Sequence, residues 1–167
     1  MKKRTAELLD ACPDLKAVCT MSVGYNHIDL AACTARGVLV TNTPDVLTES
    51  TADFGFALLM ATARRMSEGE RLLRDGRWKS WAWDFLAGSE VHGSTLAILG
   101  MGRIGQAIAR RGRFGFGMNV IYHNRSRLAA ETETELGARY VAKDELLRQA
   151  DHLVLVLPYS AESHHSI

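Results

Sequence analysis

The chain has 167 residues, 47% of them hydrophobic and 23% charged, with 20 Lys+Arg against 19 Asp+Glu and a formal net charge of +1. That composition supports a buried core and argues against a disordered tail, a collagen-like repeat or a disulfide-stapled miniprotein. No apolar run reaches the roughly 18 residues of a membrane span. Met1-Lys2-Lys3-Arg4 leads into Thr5-Ala6-Glu7 rather than an apolar signal core, so neither secretion nor a membrane partner is expected.

Cys12, Cys19 and Cys33 are odd in number and have neither C-x-x-C spacing nor histidines at zinc-finger distance. They read as reduced thiols of a cytoplasmic protein. The charge is unevenly spread. Residues 91–130 hold no Asp or Glu but carry Arg103, Arg110, Arg111, Arg113, Arg125 and Arg127. Such a stretch favours an anion; the alternative is a solvated basic face.

In chain order, residues 17–21 form a short β-prone run, residues 28–33 have helical character, and Gly37 sits where a helix C-cap glycine belongs. Residues 38–42 supply a second strand, and two strands joined through a helix imply a parallel crossover closed by the turn Thr43-Pro44-Asp45. Ser50-Thr51-Ala52-Asp53 matches a capping box, and the following residues 54–63 are apolar on nearly every face, which predicts a buried helix. The same helix is expected to run on through Arg64 and Arg65 and to stop near Asp75-Gly76.

Residues 76–93 show no helical period, and all three tryptophans, Trp78, Trp81 and Trp83, fall there. Either they cover the core beneath a long loop or they form a subunit contact, since Trp is enriched in interface hot spots. From residue 95 the pattern alternates: strand 95–99, helix 104–111, strand 118–123, helix 129–136, strand 139–141, helix 144–149 and strand 153–157, stopped by Pro158. The last strand is continuously apolar, as a strand buried on both faces would be. Repeated βα units predict an α/β fold with a doubly wound parallel sheet.

Gly100-Met101-Gly102-Arg103-Ile104-Gly105 is G-x-G-x-x-G, placed directly after the strand and at the opening of a helix, as a dinucleotide-binding unit of the Rossmann type requires. Gly100 allows the tight turn, Gly102 lets the backbone approach a pyrophosphate, and Gly105 permits close helix–strand packing. The first-turn N–H groups and the positive end of the helix dipole hold the anion. An acid about 20 residues further on would indicate NAD, by bonding the ribose 2′-hydroxyl. Asn124 stands there instead, without the charge that would repel a 2′-phosphate. Arg125, Ser126 and Arg127 then offer guanidinium forks and a hydroxyl to receive that phosphate, the alternative for Arg127 being a solvent-facing side chain. The cofactor expected is NADP as NADPH, with NAD as the second choice.

There is no G-x-S-x-G elbow, H-E-x-x-H or phosphate loop. The adjacent His164 and His165 cannot easily converge on one metal ion. No aromatic residues are interleaved with the basic stretch, so nucleic acid is not an expected partner.

Met21-Ser22-Val23-Gly24-Tyr25, Asn42-Thr43-Pro44-Asp45-Val46-Leu47-Thr48, the glycine motif and Leu157-Pro158 together resemble the D-isomer-specific 2-hydroxyacid dehydrogenases, in the right order over essentially the whole chain. The nearest branch in character is the glyoxylate/hydroxypyruvate and 2-ketogluconate reductases. The resemblance implies part of a flavodoxin-like substrate domain over residues 1–48 and an incomplete Rossmann domain over residues 49–167. It implies a small 2-oxo acid as substrate, with its carboxylate on the backbone of Val23 and Gly24. Thr51 would lie beside the nicotinamide, and Arg103 and Ile104 at the pyrophosphate. Asn124, Arg125 and Ser126 would surround the 2′-phosphate, with Leu157 and Pro158 on the adenosine side. It also implies a homodimer joined through residues 76–93.

The family's catalytic Arg, Glu and His lie downstream of the leucine-proline strand end, and no residue here matches them. His164 and His165 match a stretch that is not catalytic. The first strands of the substrate domain would precede Met1, so the chain reads as a fragment, inactive on its own. A non-catalytic dinucleotide-binding module and an NAD-dependent relative such as phosphoglycerate or formate dehydrogenase are the competing readings; Asn124 argues against the second. Only four strands follow residue 94, so the apolar strand 153–157 should lack an outer neighbour. The isolated chain is therefore expected to associate, and a sharp monomer peak in sizing chromatography at high concentration would contradict this.

Overall fold

The computed structural model describes residues 2–160 and 163–167, with side chains from Thr5 onward. The chain divides into two compact units, Met1–Leu47 with Pro158–Ile167, and Thr48–Leu157. Residues 158–167 thus group with the first unit by compactness.

The first unit holds α1 (Lys2–Ala11), β1 (Ala17–Cys19), α2 (Leu30–Ala35) and β2 (Leu39–Thr41). The strands pair in parallel with Val18 opposite Val40, the crossover expected from the sequence. Asp29 caps α2 by accepting from the Ala32 N–H at 3.1 Å, and Gly37 follows the helix at φ +68°, where a Cβ would be strained. Leu9, Ile28, Cys33 and Val38 form a small core. Helix α1 has no counterpart in the sequence reading, because its described part buries Leu9 alone and so presents no apolar stripe. Cys33 is buried and Cys12 and Cys19 are exposed, all three as free thiols.

The second unit begins with α3 (Thr48–Ala63) and α4 (Met66–Arg74), then alternates β3 (Thr95–Leu99), α5 (Arg103–Arg110), β4 (Asn119–His123), α6 (Ala130–Leu136), β5 (Ala138–Tyr140), α7 (Lys143–Gln149) and β6 (His152–Leu155). Among the described residues the sheet order is β5-β4-β3-β6, with every pair parallel. The period-2 alternation of β3 decides its two faces. Leu96 and Ile98 meet Phe56 and Leu59 of α3, Ile108 of α5 and Leu136 of α6. Ala97 and Leu99 meet Ile121 of β4 and Leu146 of α7. Helices therefore cover both faces, which is the doubly wound arrangement expected.

Four local expectations fail for identifiable reasons. Helix α3 begins at Thr48, so Ser50 lies inside it rather than at its cap. Its core stripe is Ala52, Phe56, Leu59 and Ala63, while Phe54 and Leu58 are 64% and 51% exposed; the helix is covered on one side only. It does not run on through Arg64 and Arg65. Arg65 takes φ +53°, and the Ser89 N–H returns from the loop to donate to the Ala63 carbonyl at 2.9 Å, closing the helix end. A Cβ on neighbouring Gly88 would fall 2.2 Å from that same carbonyl oxygen. Finally, among the described residues β6 pairs with β3 alone, as expected of a strand without an outer neighbour, but Leu155 is exposed and none of its residues is fully buried, so it is not the doubly buried strand its apolar run suggested.

One feature had no sequence signal. After α5 the chain widens into a π-helical turn over Arg111–Gly115. Arg111 uses it to reach α3, donating from Nε to Asp53 at 2.8 Å and from Nη2 to Glu49 at 2.9 Å. Beneath it Gly112 packs under β3, where a Cβ would lie 2.5 Å from the Leu96 side chain.

Candidate functional site

In the second unit the glycine turn, the first turn of α5 and the bend after β4 converge at the carboxyl ends of β3 and β4, where ligands of open parallel sheets bind. Each glycine has a separate reason. Gly100 adopts φ +104°, donates its N–H to the His123 carbonyl at 3.1 Å, and would place a Cβ 2.4 Å from the Val156 carbonyl oxygen. Gly105 would place one 2.3 Å from the Gly100 carbonyl oxygen, so α5 can sit against the turn only without that atom. Gly102 has φ −77° and nothing within 4 Å of its Cβ position. Neither conformation nor packing demands glycine there, and the open space is the approach a ligand would take to the backbone. Gly102 is exposed and caps α5 with no side-chain hydrogen bond, and the positive end of the helix dipole points past it. The cradle fits a pyrophosphate.

Asn124 couples this turn to the next strand. Its Oδ1 accepts the Met101 N–H at 2.7 Å, and its carbonyl accepts from the Tyr140 hydroxyl at 3.2 Å. An aspartate would make the first contact equally well, so the Asn/Asp choice at this position changes charge without changing the brace. Arg125 and Ser126 follow on an exposed bend.

Arg127 is exposed, as its alternative reading had it, but its guanidinium is engaged by an acid of this chain. It donates from Nε and Nη2 to the two carboxylate oxygens of Glu133, at 2.9 and 2.7 Å. Glu133 also accepts from the buried Tyr122 hydroxyl at 2.6 Å, and that hydroxyl accepts the Leu128 N–H at 2.9 Å. The guanidinium, then the phenol, hold the Glu133 carboxyl below the ordinary carboxylate range. Burial first, then the carboxylate, pushes Tyr122 up to about 12. The native state thus keeps an ionised acid and a neutral phenol across the physiological range. Glu133 is the one buried charged residue among those described, and the sequence reading missed it. The available signal was its position three residues before buried Leu136 on the inward face of α6, where an acid requires a partner.

The basic stretch is largely neutralised from outside itself. Arg110 pairs with Glu135, Arg111 with Glu49 and Asp53, and Arg127 with Glu133. Arg103 and Arg125 are the two that lie at the glycine-turn end.

Thr51 stands on the exposed side of α3, lining an apolar groove with Ile104, Ile108 and residues 153–156 of β6 and its continuation. Leu157 borders the glycine turn, 3.0 Å from the Cβ position of Gly100. Val23, Gly24 and Pro158 belong to the other unit.

There the loop after β1 is turned so that its carbonyls face inward. Ser22 O accepts from the Thr43 N–H, Val23 O from Asn42 Nδ2 at 2.9 Å, and Gly24 O from Ser22 Oγ at 2.6 Å. All peptide bonds among the described residues are trans, and a planar trans peptide sets each N–H opposite the preceding carbonyl. The N–H groups of Val23, Gly24 and Tyr25 consequently point away from the donors that meet the preceding carbonyls.

Comparison with known proteins shows the family. The family described as D-isomer specific 2-hydroxyacid dehydrogenase, NAD binding domain, matches residues 56–167. Glyoxylate reductase of Thermococcus onnurineus is 49% identical over 166 residues, covering 97% of this chain and 49% of the relative. Glyoxylate reductase of Korarchaeum cryptofilum is 48% identical over 163 residues, covering 97% and 48%. The crystal structure of D-lactate dehydrogenase from Aquifex aeolicus complexed with NAD and lactic acid superposes with a TM-score of 0.82 at 34% identity, covering 96% of this chain and 46% of that one. The chain thus spans about half the length of the curated relatives it matches.

The glycines separate fold from ligand. Gly105→Ala is expected to destabilise the second unit by about 1–3 kcal/mol through overpacking. Gly102→Ala should leave unfolding within about 1 kcal/mol of wild type while weakening dinucleotide binding. Thermal unfolding and titration with NADPH check both; undiminished binding by Gly102→Ala would refute the pyrophosphate cradle.

Proposed function

Because this chain belongs to the D-isomer specific 2-hydroxyacid dehydrogenases, we propose that it carries the substrate loop and cofactor site of an NADPH-preferring reductase of small 2-oxo acids. Glyoxylate, hydroxypyruvate and 2-ketogluconate are the candidate substrates, and the products are the corresponding 2-hydroxy acids, of D configuration where the carbon is chiral. The observation that carries the cofactor choice is Asn124. It braces the glycine turn through Met101 as an acid would, yet brings no negative charge to the ribose 2′ position.

When bound, the nicotinamide supplies a hydride to the substrate carbonyl carbon. The roles of the chain's own residues follow from their chemistry. The N–H groups of Val23 and Gly24 receive the substrate carboxylate and so orient the neighbouring carbonyl. The first turn of α5, with Arg103 and Ile104, holds the pyrophosphate. Arg125 and Ser126 receive the 2′-phosphate, the former by a charge-assisted fork. Thr51 borders the nicotinamide, and Leu157 and Pro158 the adenosine. Substrate polarisation and proton donation are assigned to no residue of this chain.

A cytoplasmic setting is supported by the free thiols, and among the described residues no helix is long and apolar enough to cross a membrane. The partner proposed for residues 76–93 is a second copy. Trp81 and Trp83 are 79% and 84% exposed and cover no core of their own unit. Truncating them as Trp81→Ser with Trp83→Ser should shift the chain toward monomer in sedimentation velocity. An unchanged distribution would remove this contact.

The cofactor choice is tested by Asn124→Asp combined with Arg125→Ala. NADPH affinity is expected to fall about 10- to 100-fold and NADH affinity to hold or rise, since each lost charge-assisted contact is worth about one to two powers of ten. Fluorescence titration of both nucleotides reads this directly, and an unchanged NADPH to NADH ratio would overturn the 2′ assignment.

A further inference from the structure

The bend that joins β4 to α6 has no regular secondary structure, yet it is anchored at both ends. On its near side Asn124 is held through Oδ1 by the Met101 N–H and through its carbonyl by the Tyr140 hydroxyl. On its far side the Leu128 N–H is held by the Tyr122 hydroxyl, and Arg127 is locked in a two-point fork on Glu133. Only Arg125 and Ser126 lie between these anchors. They are the two residues assigned above to the 2′-phosphate.

We infer that Tyr122, Glu133 and Arg127 form a latch that positions Arg125 and Ser126 for a 2′-phosphorylated dinucleotide, so that cofactor preference is set partly by residues that never touch the cofactor. This inference rests on the 2′ reading proposed above. Its physical basis is preorganisation: a bend held before binding does not have to be ordered by the ligand, and the saving falls on the contacts made by the bend alone. NADH makes no use of those contacts, so its binding does not depend on the latch.

The latch also removes a conflict of charge. Glu133 is tied to the end of the bend through Arg127, and left unpaired its carboxylate would repel a phosphate received by that bend. The fork from Arg127 cancels that charge at its source. Arg127 is accordingly a positioning residue. Its guanidinium is committed to Glu133, and its side chain, 65% exposed, can be replaced without opening the core. The Tyr122 side chain is fully buried in the main core, which makes the latch part of the domain's packing rather than a surface accident.

The test uses the whole chain, NADPH and NADH as probes, and two variants that conserve net charge. Tyr122→Phe removes the hydroxyl shared by Leu128 and Glu133. Arg127→Gln combined with Glu133→Gln removes the fork, and it serves if the buried Tyr122→Phe change compromises folding. Each is expected to lower NADPH affinity about 5- to 10-fold, the scale of one ordered charge-assisted contact, with NADH affinity within about twofold of wild type. A general loss of structure would lower both affinities together, so the ratio reads positioning alone. An unchanged ratio in variants of a wild type that itself prefers NADPH would overturn the latch and leave the 2′ pocket standing. A wild type that binds the two nucleotides equally would overturn the 2′ pocket, and the latch with it. A rise in NADPH affinity in the single variant Glu133→Gln with no fall in Tyr122→Phe would identify Arg127 as a phosphate ligand held in reserve, and would also overturn the latch.

Discussion

The close approach of α5 to the end of β3 is the contact on which the rest of the second unit depends. Neither Gly100 nor Gly105 carries a Cβ, and the Gly105 position comes within 2.3 Å of the Gly100 carbonyl oxygen, so the helix axis can be brought against the turn itself. Seated there, α5 directs the positive end of its dipole beyond the strand ends. The same seating places Ile108 against Gly55, where a Cβ would lie 3.0 Å from the isoleucine side chain, and so sets the distance of α3. Gly112 repeats the device one turn later under Leu96. Missing side chains, rather than added contacts, thus locate two helices relative to the sheet. Close packing of this kind leaves little freedom to relax.

Charge is distributed by the same logic of placement. An arginine-rich stretch with no acid of its own meets Glu49 and Asp53 from α3 and Glu133 and Glu135 from α6. Arg111 ties α3 to α5, and Arg127 ties the β4–α6 bend to α6. Asn124 then links that bend to the glycine turn through the Met101 N–H. Turn, bend and helix are therefore one hydrogen-bonded assembly, in which the ligand-facing groups are backed by groups facing inward. The loop after β1 follows a parallel rule, with hydrogen-bonded carbonyls setting the opposite direction of the following N–H groups.

Much of the second unit was legible because its signals are local. The strand at 95–99 coincides with β3, and the starts of α5, α6 and α7 fall one residue from their expected places, since alternation and turn chemistry are written in adjacent residues. The glycine motif, its position between strand and helix, and Asn124 at the end of the next strand are likewise properties of order and spacing. The elements missed have no such local mark. Helix α1 contributes one buried side chain, and the break at Arg65 depends on Ser89 returning to the Ala63 carbonyl.

The amino-acid sequence by itself determined the alternation of strands and helices, the dinucleotide turn and the absence of an acid at the ribose position. Each is set by chemistry within a few residues, as conformational freedom at glycine or charge at one side chain. Tertiary structure alone decided which acids Arg110, Arg111 and Arg127 meet, because those acids stand on other elements. It alone decided that Phe54 and Leu58 lie open, because apolar character states what a residue favours and not what happens to cover it. It also made Glu133 the centre of the bend between β4 and α6. A single buried carboxylate acquires that role only when Tyr122, Arg127 and α6 are folded around it.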